Sequence, residues 1–126
     1  MPIGPKWSNM KIRIDLSDGP VTATLDNNDS SKDFVKQLPM KLTLEDYAST
    51  EKISDLPRPL STQGAPAGFT PSAGDVAFYA PWGNLAIFHK GFKYSSGLIK
   101  LGRIDSGLEI IARPGPLKVT ITLLGE

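Results

Sequence analysis

Few residues in this chain can do chemistry on their own, and their scarcity narrows the options. There is one histidine, His89, and no cysteine. Thiolate catalysis, disulfides, iron–sulfur clusters and cysteine zinc sites are therefore excluded. One chain cannot bring two histidines to a metal, so no metal and no cofactor are expected. A Ser–His–Asp triad would have to be built on His89, which ends the apolar run LAIFH beside Lys90. A general base must sit within about 3 Å of the proton that it abstracts. A strand-end imidazole hydrogen-bonded to backbone is the simpler expectation for His89. No residue has surroundings that mark it as catalytic.

The richest stretch is GDVAFYAPWGNLAIFH, Gly74 to His89. Pro81 and Gly83 explain PWGN as a turn, because proline pre-sets one turn position and glycine accepts positive φ. A turn does not require Trp82, a large and partly polar side chain of the kind that anchors ligands. It forms either a wall of a pocket or a plug at the end of the fold. Asn84 offers a donor and an acceptor to a ligand, or else bonds its own backbone in the turn. Tyr47, Glu51 and Arg58 lie further upstream and could orient a ligand, giving, with Arg103, six candidate binding residues. The plainer expectations differ. Tyr47 packs its ring on the fold, and Glu51 with Lys52 is a solvated charged pair. Arg103 alternates with the apolar face of its strand and is a surface residue. If enclosed, it pairs with Glu51 or Asp105. Asp105-Ser106 before Gly107 reads as a helix N-cap.

These residues need a scaffold, and 126 residues are enough for one self-supporting domain. Apolar residues make up 40% and charged residues 21%, with both signs mixed and a net charge of +1. No basic run exists to follow a phosphate backbone, so a nucleic-acid partner is not expected. No apolar segment approaches the ~20 residues that span a bilayer, so a membrane partner is not expected either. MPIGPKWSNM has no apolar signal core. It is read as an irregular extension over residues 1–9, and a cytoplasmic protein, a monomer or weak dimer, is expected.

MKIRIDL, Met10 to Leu16, alternates as a half-buried strand does. After the turn Ser17–Pro20, VTATL pairs back as a hairpin. Ser30 and Asp33 form a capping-box pattern for a helix that buries Phe34, Val35 and Leu38 and ends at Pro39. MKLTL is a further strand. From Glu45 to Ala73 periodicity disappears among prolines and glycines, and loops of such length are often functional. VAFYA and LAIFH have no polar face and predict strands buried on both sides. Lys93–Gly97 is read as loop, LIKLGRI as a strand, and SGLEIIA as a short helix with Leu108, Ile111 and Ala112 inward. LKVTITLL is the last strand. Many strands with two short helices suggest a small closed barrel.

This order of elements resembles that of the cyclophilins. KIRIDLSDGPVTATLDNNDSSKDFVKQL is similar to their opening, with Phe34 as the buried helical phenylalanine. LIKLGRIDSGLEIIARPGPLKVTITLLGE is similar to their ending, through Gly102-Arg103-Ile104, Gly107 to Ile111 and Lys118 to Leu124. The blocks LEDYASTEKI, APWGNLAIF and LGRIDSG resemble more closely a family of small bacterial cyclophilin-like domains. The resemblance covers residues 10–126 and implies a mainly β fold, a closed eight-stranded barrel capped by two helices. A shared fold does not carry a function with it.

Three functions remain open. A binding module would hold a small molecule or peptide in a groove between the PWGN turn and the 45–73 connection. A prolyl isomerase must lower a barrier of about 20 kcal/mol with an apolar pocket and a cation or donor beside the twisted amide. Cyclophilins take that cation from an arginine in a Phe-His-Arg strand. The strand in that place here, MKLTLEDY, has none. Phe88-His89-Lys90 comes one strand late, and lysine lacks the planar donor fork of arginine. A metabolite enzyme would need a buried acid with an arginine in the same cleft.

Overall fold

The computed structural model describes residues 10–125, so the expected extension over residues 1–9 lies outside the described residues. Strands β1 (Met10–Leu16) and β2 (Gly19–Leu25) form the opening hairpin, followed by helix α1 (Asp29–Lys36) and strand β3 (Met40–Tyr47). Then come β4 (Glu51–Asp55), β5 (Gly68–Phe69), β6 (Asp75–Tyr79), β7 (Asn84–Phe88) and β8 (Ser95–Ser96). Strand β9 (Leu98–Ser106), helix α2 (Leu108–Ile111) and β10 (Leu117–Gly125) complete the chain.

Eight of the strands close a barrel in the order β1-β10-β3-β4-β7-β6-β9-β2, and β5 and β8 form a separate two-stranded flap. Side chains of a strand alternate between faces, and that alternation divides the apolar residues into two layers. Ile12, Ile14, Val21, Leu25, Val76, Phe78, Leu85, Ile87, Leu101 and Ile121 fill the interior. Ala77, Ala86, Phe88 and Leu98 form a second cluster on the outer wall, covered in part by Ile53, Phe69 and Tyr79. β6 and β7 are thus buried on both faces, as their unbroken apolar runs predict.

The helices cap the two ends of β2. Phe34 of α1 enters the core beyond Leu25, with Val35 and Leu38 partly buried beside it. Ile110 of α2 approaches Gly19 at the other end of β2. Closure needs Gly102, where an added Cβ would collide with the Thr24 carbonyl of β2. The ladder between β6 and β9 also shifts register between Val76 and Ala77, the irregularity by which a strand bends around a barrel.

Several sequence expectations change. The cap of α1 is Asn28, whose Oδ1 accepts from Ser31 N at 2.8 Å. Ser30 and Asp33 instead tie down the later connection, through Ser61 O and Ser61 N. Gly107, in the left-handed region, begins α2 without a side-chain cap. Asp105 and Ser106 belong to β9, where Asp105 accepts from Thr24 and Lys11 and Ser106 bonds Thr22. Ile111 of α2 is buried, but Ala112 is exposed.

The largest change lies in the aperiodic 45–73 stretch. β3 runs on to Tyr47, and EKISD forms β4, a full member of the barrel wall. Its pattern is hidden because both of its faces bury charge. Glu51 and Lys52 are not a solvated pair, since neighbouring strand residues point to opposite sides. Lys52 turns inward and is 0% exposed, with its Nζ 2.7 Å from Asp46 Oδ1 and 2.5 Å from Gly115 O. Glu51 turns to the outer wall. Among the described residues no helix is long and apolar enough to cross a membrane.

Candidate functional site

The outer wall carries a cleft of about 150 Å³. The strand register explains which side chains meet there. Tyr47 of β3 pairs with Glu51 of β4, Glu51 with Phe88 of β7, and Asn84 with Tyr79 of β6. All five face outward, with Ile53 of β4 and Leu98 of β9 between them, while Phe92 and Ser95 from the segment after β7 close the remaining side.

The PWGN turn supplies the last wall. The Trp82 and Gly83 backbone N–H groups both donate to Tyr79 O, and Gly83 has φ 68°. Leu56 N donates to Gly83 O, and Ala80 N to Gly97 O, so the turn is stitched to β4 and to the flap region. From this fixed base the Trp82 ring meets Tyr47 edge-on at 5.5 Å and Tyr79 at 5.2 Å. Both are the favoured edge-to-face geometry. Trp82 remains 54% exposed, so it is a wall of the cleft and not a plug. Ala48 and Ser49, at the centre of the β3–β4 turn closed by Thr50 N to Tyr47 O, both hold positive φ, 55° and 59°. This is the twist that a tight hairpin turn requires, and it sets Tyr47 opposite Glu51.

Two buried polar groups sit at the cleft, one without a hydrogen-bond partner and one with a single long one. Asn84 is 3% exposed, and its Oδ1 has no hydrogen-bond partner among the described residues. It is therefore not a turn residue satisfying its own backbone. Glu51 is 8% exposed and receives one hydrogen bond, from Thr50 Oγ1 at 3.3 Å. Burial pushes its carboxyl above the usual range, opposed weakly by that hydroxyl. No cation pairs with it among the described residues.

Of the six candidates, Tyr47, Glu51, Trp82 and Asn84 therefore converge, and the two arginines do not. Arg58 is exposed beside α1, its backbone bonded to the Gln37 side chain. Arg103 is held by Asp75, Nη1 to Oδ1 at 2.8 Å, with Nη2 reaching Ala73 O. It thus pairs with neither Glu51 nor Asp105. His89 is also outside the cleft, and the hydrogen bond at that strand end is its backbone N–H donating to Thr50 O. Its basicity is lowered by burial first and by Lys52 and Lys90 next. Sequence reasoning missed Ile53, Tyr79, Phe88, Phe92, Ser95 and Leu98. The signal for the first three was strand alternation around Glu51 and Asn84, once the true register is known.

The irregular connection lines a second cavity, about 240 Å³, between Gln63–Phe69, Asn28 and Lys100. Its Asn28 and Ser30 side chains are satisfied: Asn28 bonds Ser31 N and Lys100 O, and Ser30 bonds Ser61 O.

The profile of the cyclophilin-like family matches residues 14–122. This chain belongs to the cyclophilin-like family. The fold is similar to the solution structure of the hypothetical protein AF2241 from Archaeoglobus fulgidus. That similarity has a TM-score of 0.67 at 18% identity, over 95% of this chain and 98% of that one. No curated protein matches the sequence.

Proposed function

We propose that this cyclophilin-like domain is a binding module that takes a small molecule in the outer-wall cleft. One observation carries the reading: Asn84 Oδ1 is buried at the cleft without a partner. An unsatisfied buried acceptor costs about 1–3 kcal/mol, and a ligand donor would relieve it. The aromatic walls of Tyr47, Tyr79 and Trp82 supply the apolar contact that such sites use for affinity.

The two enzymatic alternatives lack their cation. Among the described residues no arginine, lysine or histidine lines the cleft, so neither a twisted prolyl amide nor an acid–arginine pair finds its charge in them. The test is protein-observed NMR with mixed fragments (aromatics, amides, acids, amines), following the Trp82 indole and the Asn84 carboxamide. Shifts confined to residues around the cleft are expected; their absence for every fragment overturns the reading. Exchange spectroscopy on a proline tetrapeptide is expected to show no acceleration, and new cross-peaks would move the assignment to isomerase.

A further inference from the structure

Two acceptors at the cleft carry the argument, the unpartnered Asn84 Oδ1 and the Glu51 carboxyl, which has one long hydrogen bond from Thr50 and no paired cation among the described residues. Glu51 is opposite Phe88 and Asp55 is opposite Asn84. Glu51 and Asn84 are thus separated by four residue steps along the β4–β7 ladder, about 13 Å in the strand direction. Each end has its own chemistry. At the first, Glu51 has Tyr47 and Phe88 as its ladder neighbours, and Phe92 lines the same cleft. An ionised carboxylate bordered by aromatic faces favours an ammonium group, through charge and through the negative π-face. At the second, the Asn84 carbonyl oxygen asks for one N–H or O–H donor. Between the two, Ile53 offers only hydrocarbon.

Resting on the binding-module reading above, we propose that the ligand is a short linear alkylammonium carrying a second hydrogen-bond donor at its far end, of the alkanediamine class. The ammonium pairs with Glu51, the far donor satisfies Asn84 Oδ1, and the methylene chain lies along Ile53 beneath Trp82. Both ends of the ligand must donate. An ω-amino acid, with a carboxylate at the far end, would present acceptor to acceptor at Asn84.

The test titrates the full chain with pentanediamine, pentylamine, pentanol and ω-aminohexanoate, reading amide shifts at residues 51–53 and 84–88 and the Trp82 indole. Pentanediamine is expected to bind at least tenfold tighter than pentylamine, and pentylamine at least tenfold tighter than pentanol. Glu51→Gln should bring pentylamine to within about twofold of pentanol, and Asn84→Leu should remove the advantage of the diamine over the monoamine. Equal affinity of pentanol and pentylamine would overturn the ammonium assignment while leaving the cleft a binding site. Tighter binding of ω-aminohexanoate than of the diamine would show that Asn84 donates, and would overturn the two-donor ligand. If no probe and no fragment shifts these resonances, both readings fall together. The four wild-type titrations decide the matter even where a variant folds poorly.

Discussion

Replacing Glu51 by glutamine tests the central physical claim, that a carboxyl is held at the cleft at a cost to the fold. The substitution keeps the size and removes only the ionisation. In the free protein Glu51 has one weak hydrogen bond, from Thr50 at 3.3 Å, and no paired cation among the described residues. Leaving a buried polar group poorly served costs about 1–3 kcal/mol. Thr50 and the open side of the cleft return part of that, leaving a penalty on the order of 1 kcal/mol when the carboxyl is ionised. The direction with pH follows from linkage. Glu51 titrates higher in the folded protein than in the unfolded chain, where glutamate titrates near 4.3. Between the two values the native state holds more protons, so the wild-type protein loses stability as pH rises through that window. A glutamine side chain does not titrate. The stability of Glu51→Gln relative to wild type should therefore climb by about 1 kcal/mol as pH rises above about 4, then stay level once the native carboxyl has ionised. In thermal unfolding this is a relative gain of about 4 °C for a chain of this size. Urea unfolding of both proteins across the range isolates Glu51, because the other titrating groups are common to the two. A difference that stays flat with pH, or falls, would show that Glu51 is already solvated or paired. The Glu51 carboxyl would then have no unmet demand for a ligand.

Gly102→Ala should cost about 3 kcal/mol or leave the protein unfolded, because the new Cβ meets the Thr24 carbonyl where β9 closes on β2; a urea midpoint close to wild type would show that the seam can widen. Gly68→Ala drives a Cβ into the Ser95 carbonyl between β5 and β8, which should detach the flap without unfolding the barrel. Hydrogen exchange at the Gly97 amide, which donates to Ala67 O, should then speed up at least tenfold while global stability falls by less than about 1 kcal/mol. Arg103→Met leaves Asp75, 3% exposed, with Ser72 N and a distant Lys100. It should cost about 1–2 kcal/mol in urea yet leave amine-induced shifts at the cleft unchanged; a loss of those shifts would place Arg103 in the site after all.

Local patterns carried most of the architecture. Ile12, Ile14 and Leu16 alternate with charged residues, and β1 forms there. The two uninterrupted apolar runs around PWGN are β6 and β7, buried on both faces. Where the pattern failed, it failed for a reason that sequence cannot display. EKISD puts Glu51 against an outer cleft and Lys52 into the barrel interior, so neither face looks apolar and the strand reads as loop. The same burial turned an apparent surface ion pair into two charges with separate surroundings, one at the outer cleft and one inside the barrel. The Ser30 cap and the Asp105-Ser106 cap were plausible locally, but Ser61, Thr22, Thr24 and Lys11 engaged those side chains from distant parts of the chain.

By itself, then, the sequence determined the absence of cysteine and of any second histidine, the barrel-forming strands with alternating or fully apolar faces, and the presence of Trp82 on a turn that did not need it. Only the tertiary structure decided that Tyr47, Glu51, Trp82 and Asn84 share a cleft while Arg58 and Arg103 do not. The physical reason is register. Which residue of β4 stands opposite which residue of β7 is set by closure of the whole eight-stranded wall. A one-residue slip in that ladder would turn Glu51 into the core and Lys52 out to the cleft.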